Sequence, residues 1–514
     1  LLVSSDGNHC ENSGFHFFFA YSKKEEVYFM RVLEKLSPNK VWKYFEDICR
    51  IPHGSGNVKG ISDYCVDFAK SHGLKYRQNE NYNIIIWKPA TAGYENAPTV
   101  ILQGHMDMVA VKDDDCTLDL EKDGLELEIE GDFVSAKGTS LGGDDGAAVA
   151  YGLAILDSTD IPHPALEVVF TVDEEIGLLG AASIDTSDLK GKLFMNLDSE
   201  EEGIFLTSCA GGATVICNLP YGEKKQAQGV IYEIDVKGLL GGHSGSEINK
   251  ERASANVLIG RILFTLQENP EVSFALSEIS GGEKDNAISK FAKAVVVVAD
   301  EDVNAFEETV KKLEEIVRNE YQYTDKDIHF TLTKTEEDTV EVFRSKDMTR
   351  IILALVHMPY GVQKMNTKIE GMVETSLNMG IISTTKEAVK LCYSVRSSIS
   401  SEKAYLIEKM ISLVELLGGD CEVSGNYPGW AYQEESLLRD HMVAAYKKLY
   451  GEEPILQGIH AGVECGLFAS KIEGLDCISI GPQMYDIHTT SERLSISSVQ
   501  RTWDLVVETL KGLK

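Results

Sequence analysis

Residues 101–109 read ILQGHMDMV, placing His105 and Asp107 two positions apart just after the apolar run Val100-Ile101-Leu102. In an extended strand residues i and i+2 point to the same side. An imidazole and a carboxylate therefore face one way at the end of a buried strand. Taken alone, these two residues read more readily as a core histidine beside a loop aspartate, because buried polar groups usually just find partners. Four further stretches carry similar groups: GTSLGGDDGAA (138–148), FTVDEEIG (170–177), NLDSEEEG (196–203) and DIHTTSE (486–492). Each sets oxygen or nitrogen donors in a glycine-rich or strand-end context. A hydrolytic site with two divalent ions about 3.5–4 Å apart needs a shared carboxylate, terminal ligands for each ion and room for a bridging water. Carboxylates and imidazoles without thiolates suit Zn²⁺, and also Mn²⁺ or Co²⁺.

Adjacent Glu174 and Glu175 matter most. Two carboxylates at the end of an apolar strand repel each other unless a cation or a proton intervenes. One can then ligate while its neighbour accepts a proton, the division of labour general base catalysis requires. An exposed strand end would also explain the pair, a charged loop would explain Asp198, and a surface position would explain His488. The run Asp113-Asp114-Asp115, read as a solvated loop, shows how common acidic clusters are.

The elements that must position these groups are legible as patterns. Val41, Trp42, Phe45, Ile48 and Cys49 repeat at helical spacing after Ser37-Pro38, and Ile61, Cys65, Phe68 and Ala69 repeat before Gly73. Strand-like runs follow at 82–87, 99–103, 166–172 and 192–197, separated by glycine-rich or helical pieces such as GAAVAYGLAIL (146–156). Continuous apolar strands alternating with helices imply an α/β domain whose sheet is covered on both faces. Functional groups gather just beyond the carboxyl ends of such strands, where His105, Glu174 and Asp198 fall. From about 212 to 425 the texture changes to an α+β pattern, and after about 426 the first texture returns. A domain inserted into another explains this. The expected boundaries are 30–211 and 426–514 for the catalytic domain and 212–425 for the insertion.

Composition narrows the function classes. A formal charge of −32 over 514 residues argues against nucleic acid and anionic membrane as natural partners. The ten cysteines show no C-x-x-C pair, which fits reduced thiols in an intracellular protein better than a disulfide framework. No apolar span reaches the roughly 20 residues of a membrane crossing. Residues 1–29 start without Met and lack a basic segment before FHFFFA, so they read as a disordered or non-native extension ahead of Met30 rather than a signal peptide.

In this order the motifs GHMD, LGGDDG, DEEIG, NLDSE and IHTTS resemble the co-catalytic zinc peptidase family that includes aminoacylases, acetylornithine deacetylase and carnosine-type dipeptidases. KPATAGYEN, LDSEEEG, CAGG, KGLLGGHSG, VETSLNMG, YPGW and IHAGVECGLF look most like its aminoacyl-histidine (Xaa-His) dipeptidase branch, over essentially 30–514. The resemblance implies a mixed-sheet catalytic domain of α/β class with helices on both faces, plus an inserted α+β lid. It implies His105 and Asp198 on one metal, Glu175 and His488 on the other, and Asp144 bridging. Glu174 would be the general base, and Asp107 the carboxylate that orients His105. It also implies a cis peptide between Asp144 and Asp145, where the branch usually has Asn at the second position. In the lid, His243 and Asn286 resemble the residues that polarise the scissile carbonyl and hold the tetrahedral intermediate. Arg396 resembles the arginine that grips the substrate carboxylate, while Gly462 and Glu464 would line the substrate side.

The expected protein is thus a cytoplasmic metallodipeptidase with two divalent ions, most simply zinc, acting on small peptides with free ends, Xaa-His among them, and forming a homodimer. An N-acyl amino acid deacylase on the same site is the first rival, and a non-catalytic metal-dependent binding protein the second.

Overall fold

Strands Ile84–Lys88, Val100–His105 and Leu166–Thr171 are apolar almost throughout because both faces of their sheet are covered. Ile84, Ile86, Val100, Leu102, Val168 and Phe170 enter one core with helices Asn39–Cys49, Gly143–Leu156 and Ile496–Gly512. The alternate residues Ile85, Ile101 and Val169 enter another, against Ala181 and the helix Glu464–Lys471. The period-two alternation of a strand thus divides one apolar run between two layers. The structure, a computed structural model, describes residues 31–336 and 338–514; the expectation for residues 1–29 lies outside the described residues.

Among the described residues the first sheet has eight strands, in the order Lys75–Gln78, Ile84–Lys88, Leu166–Thr171, Val100–His105, Leu193–Asn196, Asp476–Ser479, Ile204–Cys209 and Ile455–Ile459. It is mixed. Val100–His105 runs parallel to both Leu166–Thr171 and Leu193–Asn196, while Ile84–Lys88 is antiparallel to its neighbour. The parallel trio brings its carboxyl ends to one edge, so the segments carrying His105, Glu174-Glu175 and Asp198 emerge side by side.

Among the described residues the second sheet has nine strands, and four long helices pack with it in one core. Val230–Lys237, Ala255–Glu268, Phe274–Gly281, Ala292–Val298, Val303–Glu320 and His329–Lys334 form a β-α-β-β-α-β unit. Gly211–Pro220, Ser345–His357, Val373–Thr384, Ala388–Ser397, Ser400–Leu416 and Asp420–Tyr427 form another with the same spatial order, and the first is inserted after its opening strand. The units join edge to edge where Gly281 pairs with Ile382. The chain returns to the first sheet at Trp430, whose backbone exchanges two 2.9 Å hydrogen bonds with Cys209. Among the described residues no helix is long and apolar enough to cross a membrane.

Candidate metal centre

His105 ends its strand fully buried, and its Nδ1–H donates to the backbone carbonyl of Asp107 at 2.9 Å. That bond fixes the tautomer and aims the Nε2 lone pair at Asp144 Oδ1 (3.1 Å) and Asp198 Oδ1 (3.5 Å). On the opposite side, His488 Nε2 lies 3.1 Å from Asp144 Oδ2 and 2.9 Å from Glu175 Oε1. Asp144 thus divides its two oxygens between two imidazoles. His105, Asp144 and Asp198 offer donor atoms all within 4.8 Å of one another, and so do Asp144, Glu175 and His488.

These donors fit divalent cations. Bonds of about 2.0–2.2 Å at a tetrahedral angle separate two ligand atoms by roughly 3.4 Å, close to the spacings here. Glu175 Oε1 is buried 2.9 Å from His488 Nε2 and, among the described residues, makes no well-aligned hydrogen bond, a spacing that two ligands of one ion would share. Burial pushes the Asp198 carboxyl up to about 8, opposed by His105 and reinforced by the Asp144 and Glu464 carboxylates. A cation beside it would relieve that cost.

The site is held by backbone contacts as much as by its donors. Asp107, expected to orient His105 through its carboxylate, does so through its own carbonyl, with the carboxylate 3.5 Å from Nδ1. Its carboxylate instead accepts the backbone N–H groups of Glu174 (3.0 Å) and Glu175 (3.4 Å) and the Ser55 hydroxyl (2.8 Å). Asp107 therefore ties the end of one parallel strand to the turn after the next. Asp173 opens that turn with φ of 54°, a left-handed conformation that delivers two successive glutamates to the cavity. Burial pushes the Glu174 carboxyl well up, opposed by His105, with Asp198, Glu464 and Glu175 adding to the rise. A carboxylate so placed can take a proton and return it.

Asp144 sits in the turn that opens the Gly143–Leu156 helix, and its peptide bond to Asp145 is cis. Asp145 points beneath the site: it accepts His105 N–H at 3.1 Å and Ala148 N–H at 3.3 Å. Burial, then the charge of Asp198, holds the Asp145 carboxyl well above its ordinary range. Gly104 is required here, since a Cβ would stand 2.4 Å from Ala148 Cβ and 2.6 Å from Asp145 Oδ2. Glu492 was not singled out from the sequence, although it closes the DIHTTSE stretch. Only 3% exposed, it accepts the N–H groups of Leu141 (2.8 Å) and Gly142 (3.1 Å) on Oε2 and of Gly143 (2.8 Å) and Asp144 (3.5 Å) on Oε1. The stretch that brings His488 also clamps the turn presenting Asp144.

Above these groups lies a cavity of about 480 Å³ lined by Glu174, Asp198, His243, Arg396, Tyr427 and Gly462 among others. His243 Nδ1 accepts the N–H groups of Gly245 (3.3 Å) and Ser246 (3.1 Å), so the neutral ring carries its proton on Nε2. Burial, then the Arg396 charge, lowers its pKa and keeps it neutral. Arg396 is only 8% exposed, its Nε has no partner, and among the described residues no carboxylate forms an ion pair with it. Two expected lining residues lie elsewhere. Asn286 is exposed outside the cavity wall, and meets the His243 turn through its carbonyl, which accepts Ser244 N–H at 2.9 Å. Glu464 has no exposed surface and lies behind the site, accepting the Thr171 hydroxyl (2.7 Å) and the Gln103 amide.

Residues 101–512 match the model of Peptidase family M20/M25/M40. The cytosol non-specific dipeptidase of Escherichia coli K12 is 37% identical over 485 residues, 94% of this chain and 99% of that protein. The crystal structure of an aminoacylhistidine dipeptidase from Vibrio alginolyticus superposes with a TM-score of 0.87 at 37% identity, covering 93% of this chain and 97% of that one. Aminopeptidase PepT from Bacillus cereus shares the fold at a TM-score of 0.53 and 16% identity, over 93% of this chain and 99% of that one. With four-fifths of its length matched to the family and relatives matched nearly end to end, the chain belongs to the M20/M25/M40 peptidase family.

Proposed function

We propose that the protein is a dinuclear, metal-dependent dipeptidase that hydrolyses short peptides with free termini, Xaa-His dipeptides among them, with Glu174 as general base. The observation that carries this reading is Asp144, whose two carboxylate oxygens each face a different imidazole. His105 and Asp198 would hold one ion, Glu175 and His488 the other, with Asp144 shared, and zinc suits this donor set. When bound, such a pair would supply Lewis acidity toward the scissile carbonyl and would make a nearby water more acidic.

The chain's own groups do the rest. Arg396 receives the substrate's C-terminal carboxylate, a role supported by its buried guanidinium, which has no carboxylate partner among the described residues. His243 presents Nε2–H to the cavity as a donor for the carbonyl oxygen as charge develops. Glu174 takes the proton of the attacking water and delivers it to the departing amine. Asp107 keeps Glu174 in place through the backbone. Gly462 keeps the wall beside Tyr427 thin, since a Cβ there would lie 2.9 Å from the Tyr427 ring. Asn286 would enter the site only if its turn moved inward.

The names of the relatives support dipeptide hydrolysis and a cytoplasmic location. Homodimerisation rests on the family resemblance and is read by light scattering of the purified chain. Digestion of a dipeptide library with Zn²⁺, Mn²⁺ and Co²⁺ supplied in turn, beside N-acetyl amino acids, tests the function. Cleavage of free dipeptides with a higher kcat/KM than any N-acetyl amino acid supports it; the reverse preference makes the protein a deacylase.

A further inference from the structure

The cysteines give no framework in sequence, and all nine in the described residues are free thiols. Two of them, 204 positions apart, nevertheless meet: Cys217 Sγ and Cys421 Sγ are 3.0 Å apart. They are direct register partners on the antiparallel strands Gly211–Pro220 and Asp420–Tyr427. Paired residues in an antiparallel ladder have Cα atoms about 4.5 or 5.5 Å apart, inside the window of about 4.4–6.8 Å that a disulfide spans. The ladder itself therefore sets the pair at a spacing that a disulfide can span.

The location gives the pair a consequence. Gly211–Pro220 is the strand by which the chain enters the second sheet, and Asp420–Tyr427 is the edge strand by which it leaves. The exit strand ends at Tyr427, which lines the cavity and lies 3.4 Å from Arg396 Nη1 through its hydroxyl. Among the described residues one neighbour pairs with this edge strand, and its register slips between Ser424 and Tyr427. A bond near its start would close a loop holding almost the whole second sheet, the case in which a cross-link most restricts the unfolded chain.

We propose that Cys217 and Cys421 are a reversible thiol–disulfide couple, a redox-dependent staple between the entry and exit strands of the second sheet. Cys421 is the more exposed residue of the pair, and its thiol is eased below its ordinary range by its contact with Cys217. With hydrogen peroxide as oxidant, the Cys421 thiolate attacks one peroxide oxygen and the O–O bond breaks. Hydroxide departs, taking up the proton that had left Cys421, and Cys421 becomes a sulfenic acid. The Cys217 sulfur then attacks the sulfenic sulfur, the S–O bond breaks, and water leaves with the Cys217 proton as the S–S bond forms. Two electrons pass from the sulfurs to the peroxide, and a dithiol reductant returns them by exchange.

The test treats the reduced full chain with hydrogen peroxide and reads intact mass, a non-reducing peptide map and the melting temperature. The expected result is a loss of about 2 Da, one for each thiol hydrogen, and a peptide joining Cys217 to Cys421. The melting temperature should rise by on the order of 5–10 °C and fall back with dithiothreitol. Cys421→Ser should remove the cross-link and the rise, whereas Cys116→Ser should leave both intact. Cys421 oxidised to sulfinic acid without a cross-link, Cys421 joined to Cys392 instead, or a cross-link that leaves the melting temperature unchanged would each overturn the proposal.

Discussion

Glu492→Gln should cost about 2–4 kcal/mol of stability while leaving every donor atom of the metal centre in place. Three short N–H bonds, from Leu141 (2.8 Å), Gly142 (3.1 Å) and Gly143 (2.8 Å), converge on its two oxygens, and the Asp144 N–H approaches at 3.5 Å. Glutamine keeps one acceptor oxygen and turns an NH₂ group toward the other set of donors. If the oxygen stays on Leu141 and Gly142, the Gly143 N–H loses its acceptor; if it turns, two donors do. A buried donor left unsatisfied costs about 1–3 kcal/mol, and the remaining bonds lose charge assistance. The turn at risk is the one that presents Asp144, so affinity for added Zn²⁺ should fall as well, by roughly tenfold or more, the loss typical when a supporting partner of a ligand is removed. Urea unfolding of the metal-free protein reads the first quantity and competition with a chromophoric chelator the second. A midpoint and a zinc affinity both unchanged from wild type would refute the clamp.

Glu174→Gln should lower kcat on a cleaved dipeptide by roughly 10²–10⁴-fold with metal content unchanged; a variant within tenfold of wild type removes Glu174 as the base. Arg396→Lys should raise KM about 10–100-fold for dipeptides with a free carboxylate, from the loss of a charge-assisted, two-pronged contact, and should leave C-terminally amidated dipeptides unaffected; equal losses on both assign Arg396 a structural role only. Lys403 is buried beneath the second sheet's exit, donating to the carbonyls of Gly212 (3.0 Å) and Tyr427, and burial lowers its pKa from 10.5 to about 8. A lysine with a lowered folded pKa gives up its proton in the folded state first, so between about pH 8 and 10.5 the unfolded chain holds more protons and stability from this group rises with pH. The urea midpoint of wild type relative to Lys403→Met should therefore increase across that window; a constant or falling difference contradicts it.

The legible part of this protein was what lies close along the chain. Apolar runs marked Val100–His105 and Leu166–Thr171 as doubly covered strands, and their carboxyl ends marked where His105 and the Glu174-Glu175 pair would emerge. The return of the first texture after residue 426 has its counterpart in Asp476–Ser479 and Ile455–Ile459, which take places in the first sheet. What joins distant segments was not legible. Glu492 clamps a turn some 350 positions away, and no local pattern separates such a buried acceptor from a surface glutamate. Asp107 lies in the expected place but works through its carbonyl on His105 and through its carboxylate on Glu174 and Glu175, a choice made by the turn at Asp173. Glu464 follows cavity-lining Gly462 by two residues, yet opens a helix packed behind the sheet, so its side chain turns inward. The two β-α-β-β-α-β units are not legible in the sequence, because one interrupts the other and no sequence repeat marks them.

The most direct test is anomalous diffraction from crystals of the chain grown with zinc and measured on both sides of the zinc edge. The prediction is two peaks about 3.5–4 Å apart flanking the Asp144 carboxylate, one against His105 and Asp198, the other against Glu175 and His488. A single peak, or ions that leave Asp144 on one side, would contradict a shared carboxylate at the heart of the site.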